Sequence, residues 1–98
     1  PGERLVLSTD TSVEDVHFRR AWLAPDEIGW RAAAGALSDL AAMGARPLAV
    51  VFAATVPPGW RTDLAALADG AGAAVRDAGA AIAGGDLTTG RELSLTLT

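Results

Sequence analysis

The sequence predicts a single α/β or α+β domain, and three observations carry that reading. At 98 residues the chain has the length of one domain. Half of its residues are hydrophobic, enough for a modest core and too many for a disordered segment. Its apolar pattern switches between strand-like runs and helix-period stretches, in the order strand, helix, strand, helix, strand, strand.

The elements follow in order. Arg4 to Thr9 reads as a strand, and Thr11 to Leu23 as a polar loop. Pro25 and Asp26 suit a helix start, because proline fits the first turn and acids there suit the positive end of the dipole. That helix runs to about Met43, with Trp30, Ala33, Leu37, Leu40 and Gly44 as its core stripe. Gly44 and Pro47 bracket its end. Leu48 to Val56 is a buried strand stopped by Pro57-Pro58-Gly59. Thr62 is positioned to cap a second helix, whose stripe is Leu64, Leu67, Ala68, Ala71, Val75 and Ala78, and which ends at Gly79. Ala80 to Ala83 is a short strand leading into a Gly84-Gly85-Asp86 turn. Leu93 to Thr98 alternates leucine with serine and threonine, the pattern of a strand with one apolar face. That face is expected to pack against a second copy of the chain. Trp22, Trp30 and Trp60 read as packing residues. The ends, Pro1 without a methionine and Thr98 inside a strand, read as those of a fragment.

Composition narrows the function. The formal net charge is −4, which argues against a nucleic-acid footprint. All eight basic residues are arginine, so no P-loop or protein-kinase lysine is present in these residues. With no cysteine and one histidine, thiolate and His-based zinc sites are excluded. Arg31, Asp39 and Arg46 interrupt the longest apolar runs, so no segment is expected to span a membrane. No signal peptide is legible, and a soluble cytoplasmic protein is the expectation.

Three aspartates stand out. They close the runs Ser8-Thr9-Asp10, Leu37-Ser38-Asp39 and Gly84-Gly85-Asp86. Carboxylates and hydroxyls drawn from distant sequence are what a hard cation such as Mg²⁺ takes as ligands. Asp39 has Gly35, Ala36, Ala42 and Met43 as helical neighbours, a smooth face that a ligand or another backbone can approach. A solvated aspartate on an alanine-rich helix is the alternative. Paired glycines before Asp86 let a backbone approach phosphate, or simply make a turn. His17 is a candidate proton carrier or phosphate contact, against the plainer reading of a structural histidine. Arg19 and Arg20 read as solvated, with phosphate steering the lesser alternative, and Glu14 and Asp15 as loop charges rather than an extension of the acidic cluster.

The segments "LSTDTSVEDVHF", "ALSDLAAMGARP" and "AGGDLTTG", in this order and spacing, resemble the N-terminal domain of the thiamine-monophosphate kinases. That family belongs to a superfamily with aminoimidazole ribonucleotide synthetase, selenophosphate synthetase and a hydrogenase maturation protein. The resemblance covers essentially all 98 residues. It implies an α+β fold: a mixed sheet with two main helices on one face, whose strands join those of a second copy in a barrel. Residues 1–98 would then be the N-terminal ATP- and Mg-binding domain of a longer enzyme.

The activity implied is direct transfer of the γ-phosphate of ATP to thiamine monophosphate, assisted by several Mg²⁺ ions and giving thiamine diphosphate. Other ATP-using superfamily members, or a non-catalytic dimerisation module, are the alternatives. The resemblance puts Ser8, Thr9, Asp10, Asp39 and Asp86 on metal-binding positions. Gly85 and Asp86 fall on a nucleotide-contacting turn and His17 on a substrate-contacting position. No residue is assigned a catalytic role. The implied partners are thiamine monophosphate, ATP and a second copy in a homodimer, with neither nucleic acid nor membrane. Ala36 stands where the family usually has asparagine, and the family's upstream acidic pair is absent. The three aspartates are expected to converge within roughly 4–8 Å, the spacing that shared metal ions impose.

Overall fold

Two glycines set how the helices meet. Helix α1 spans Pro25–Ala42 and helix α2 spans Leu64–Asp77. A Cβ on Gly29 of α1 would lie 1.9 Å from the Leu67 carbonyl oxygen of α2. A Cβ on Gly70 of α2 would lie 1.9 Å from the Asp26 carbonyl oxygen of α1. The two backbones therefore touch at both contacts, which side chains would prevent. In the computed structural model, which describes residues 3–98, these helices accompany four strands: β1 Asp10–Val13, β2 Ala49–Thr55, β3 Ala81–Thr88 and β4 Ser94–Leu97.

The strands form one mixed sheet in the order β1-β4-β2-β3. β1 and β2 both run antiparallel to β4, and β2 runs parallel to β3. Parallel pairing needs a crossover, which α2 supplies, entered through a 3₁₀ turn at Pro58–Asp63. Leu93, Leu95, Leu97, Val50 and Ala54 pack with Ile28, Ala33 and Leu37 of α1 and Leu67, Ala71 and Val75 of α2. The helices thus cover one sheet face. The other face carries Thr11, Thr96 and Ala53 across the strands. Among the described residues, no helix is long and apolar enough to cross a membrane.

Several expectations are corrected. Residues 4–9 form no strand; the first strand begins at Asp10 and takes the first residues of the expected loop. Leu5 and Leu7 are 78% and 75% exposed, and among the described residues no neighbouring strand takes their backbone groups into a ladder. The α1 stripe is Ile28, Gly29, Ala32, Ala33 and Leu37, not one centred on Trp30, which is 45% exposed. The glycine contact rotates the small residues inward and Trp30 outward. Trp60 is buried as expected, but Trp22 is 70% exposed beneath the Arg19 guanidinium. No side chain caps α2; the 3₁₀ turn occupies the position given to Thr62. Ala68 lies on the exposed side of α2, and Gly70 and Ala74 are buried instead. The leucine face of β4 is buried under the chain's own helices, so it is not free for a partner.

Candidate functional site

Asp10 opens β1 and pairs with Leu97 of β4. Alternation puts it on the helix side of the sheet, with Leu97 and Phe52 in its row. Its carboxylate reaches α1: Asp10 Oδ2 lies 3.3 Å from the point where a Gly35 Cβ would sit. Gly35 is one helical turn before Asp39, and the Ser38 hydroxyl donates to the Gly35 carbonyl at 2.7 Å. The smooth face expected around Asp39 is therefore where the Asp10 carboxylate packs. The sheet and helix bring Asp10 to the turn bearing Ser38 and Asp39, with Asp39 exposed to solvent.

The open sheet face carries hydroxyls. Thr9 and Thr98 hydroxyls lie 2.9 Å apart, and those of Thr11 and Thr96 lie 3.1 Å apart. Ser8, half-buried, precedes this pair of contacts. The row Thr11, Thr96, Ala53 and Asp86 crosses all four strands, so Asp86 shares this open face.

Asp86 accordingly does not join Asp10 and Asp39 within one chain. Asp10 is on one edge strand and Asp86 on the other, on opposite sheet faces. Three strand spacings separate them by about 14 Å. Among the described residues, no group of three or more acidic or histidine side chains is arranged to hold one metal ion. The expected convergence within 4–8 Å is overturned for a single chain, because the strand order separates the first and third motifs.

Gly84-Gly85-Asp86 is also not a turn. It lies inside β3, an edge strand whose eight residues are all exposed. A Cβ on Gly85 would fall 1.8 Å from the Phe52 carbonyl oxygen, whereas one on Gly84 would meet nothing within 4 Å. Gly85 is thus demanded by the sheet, while Gly84 leaves clear space along the strand.

His17 lies in the tight turn after β1. Its Nδ1 accepts the Val13 N–H at 2.9 Å, and the His17 backbone N–H donates to the Val13 carbonyl at 2.9 Å. Asp10 and His17 therefore sit toward opposite ends of β1, about 10 Å apart along the strand. Asp15 adopts φ 64°, the left-handed conformation that the turn requires.

Glu14, expected as a loop charge or an extension of the acidic cluster, is instead a structural acceptor. Its carboxylate accepts the Trp60 indole N–H, 3.2 Å from both oxygens, and the Leu93 N–H at 3.2 Å. Arg20, also read as solvated, sits 3.9 Å over the Trp60 ring, donates to the Gly59 carbonyl and pairs with Asp63. No local pattern reveals these contacts, since the partners lie 39 to 79 residues away in sequence.

The chain resembles known proteins along its whole length. It is 40% identical over 98 residues to a thiamine-monophosphate kinase of Synechococcus elongatus, covering 99% of this chain and 30% of that protein. A crystal structure of thiamine-monophosphate kinase from Stenotrophomonas maltophilia superposes with a TM-score of 0.83 at 41% identity, over 96% of this chain and 30% of the other. A ThiL structure complexed with AMPPCP and TMP shares the fold, with a TM-score of 0.86 at 23% identity over 92% of this chain and 29% of that one. The chain thus spans about 30% of the length of the relatives it matches. Residues 1–98 match the model for the AIR synthase related protein, N-terminal domain, and the chain belongs to that family.

Proposed function

We propose that this domain is the metal-carrying part of an enzyme that transfers the γ-phosphate of ATP to thiamine monophosphate, giving thiamine diphosphate. The observation that carries the reading is the Asp10 carboxylate packed on the Gly35 turn beside Asp39, in a chain 40% identical to such a kinase along its length. The donors suit the ion. Asp10, Asp39 and the Ser8 and Thr9 hydroxyls are hard oxygen ligands, and no thiolate competes with them, since the chain has no cysteine.

In this reading Asp10 and Asp39 hold Mg²⁺, with Ser8 and Thr9 assisting. The ions would neutralise the charge developing on the transferred phosphoryl group. The chain's own contribution is position. The sheet fixes Asp10, the helix fixes Asp39, and His17 orients thiamine monophosphate about 10 Å further along β1. Gly85 and Asp86 meet the nucleotide from β3, with Gly84 leaving room for it.

The reading includes a cytoplasmic homodimer. Each chain exposes Leu5, Leu7, Val51 and the threonine face of the sheet, and β3 has a free edge. A second copy over that face would cover them and carry its own Asp86 toward the acidic end of the first. The metal set would then be completed across the interface.

The test is Asp39→Asn in the full-length protein, assayed with ATP, Mg²⁺ and thiamine monophosphate. Asp39 is exposed and off the core, so Tm should move by less than about 2 °C. The turnover should fall by about a hundredfold or more, because a neutral amide is a poor Mg²⁺ ligand. Near-normal turnover at saturating Mg²⁺ would refute the role given to Asp39.

A further inference from the structure

The turn that carries His17 is held by a structure of its own. Glu14 leaves β1 with its N–H on the Leu93 carbonyl at 2.9 Å, and its side chain takes the Leu93 N–H in return. The turn closes where the Asp15 N–H meets the Phe18 carbonyl at 2.7 Å. Phe18 then goes into the core, edge-on to Trp60 with ring centroids 6.4 Å apart and planes at 86°. Trp60 is buried, and its indole N–H goes to Glu14. Arg20 lies over the same ring and ties the far end of the loop to the 3₁₀ turn.

The loop is therefore fastened at both ends to Trp60. An indole N–H can only donate, so its partner must accept, and a carboxylate does so strongly. From these contacts we infer that Glu14 is a positioning residue. Its carboxylate, through Trp60 and Leu93, fixes the turn that presents His17 to the phosphate-bearing acceptor substrate. This rests on the reading that His17 meets that substrate. The partners of the Glu14 carboxylate are Trp60 and Leu93, neither of which is assigned to metal or substrate. It acts by denying the His17 turn any other resting place.

The experiment compares Glu14→Gln, Trp60→Phe and His17→Ala in the full-length enzyme, with separate KM values for thiamine monophosphate and for ATP. Glutamine presents an N–H₂ where a second acceptor oxygen stood, and phenylalanine keeps the ring but drops the donor. Each of these two variants should raise KM for thiamine monophosphate about tenfold, the effect of losing one hydrogen bond to a charged group. KM for ATP should stay within about twofold, since the ATP-facing residues are untouched. Glu14→Gln added to His17→Ala should do no further harm, because nothing is left to position. A role in folding alone would lower Tm and the active fraction while leaving both KM values in place, and that result overturns the inference. If Glu14→Gln does not fold, Trp60→Phe carries the same comparison. If His17→Ala raises KM for thiamine monophosphate but neither clamp variant does, the inference fails and the functional reading stands. If His17→Ala leaves that KM unchanged, the substrate role of His17 fails, and the positioning role falls with it.

Discussion

Gly35 separates fold from function more cleanly than any aspartate here. It is a helical residue with an ordinary backbone, so alanine should suit the helix better by about 0.8–1 kcal/mol. Yet a Cβ there would stand 3.3 Å from Asp10 Oδ2, tight enough to push the carboxylate by a few tenths of an ångström. Gly35→Ala should leave Tm unchanged or slightly raised while increasing the Mg²⁺ concentration needed for half-maximal activity. Thermal melts and a magnesium titration on the full-length protein check both halves. An unchanged magnesium requirement would mean the Asp10 carboxylate does not need its place on α1. The three acidic motifs were legible in the sequence because each is short and local. The contact of Asp10 with Gly35 was legible only as a smooth face awaiting an occupant. Which oxygen fills it depends on the sheet, and that information is not local.

At the level of elements, the glycines make opposite predictions. Gly29→Ala places a methyl group inside a neighbouring backbone, and overpacking of this kind costs about 1–3 kcal/mol. Urea unfolding should report a loss of that order. Gly84→Ala meets open space, so its stability should stay within about 0.5 kcal/mol of the parent. Any change in ATP affinity in that variant then reports ligand contact rather than damage to β3. These elements also show where sequence reading stops. Both helices and β2 were legible because period and breakers agree over many residues. The first strand was misplaced because alternation at Leu5 and Leu7 does not say whether a neighbouring strand exists. The α1 stripe was misread because large residues were expected inside. A crossing built on Gly29 and Gly70 buries the small ones instead.

On the scale of the whole molecule, strand order decides the site. Chain order puts the first and third acidic motifs at residues 8–10 and 84–86. Sheet order puts them on opposite edges, and no composition or periodicity encodes that order. If two copies complete one another, subunits carrying Asp10→Asn and subunits carrying Asp86→Asn should each be inactive as pure full-length dimers. Mixed dimers should regain activity, because one of their two sites receives both intact aspartates. Light scattering should give a dimer mass for all three preparations. Mixed dimers that stay dead would show that Asp86 does not work across the interface.

The crossing of α1 and α2 has a mechanical meaning as well. Side chains that separate helices act as springs, since rotamers can shift and let the axes slide. Where main chain rests on main chain at two reciprocal points, that compliance is missing. Helix α1 behaves as a post clamped at its first two turns, with Ser38 and Asp39 more than a full turn beyond the clamp. Stiffness is therefore concentrated at the end remote from the carboxylate. Beyond the clamp, Leu37 in the core and the Asp10 carboxylate against Gly35 hold the rest of the helix.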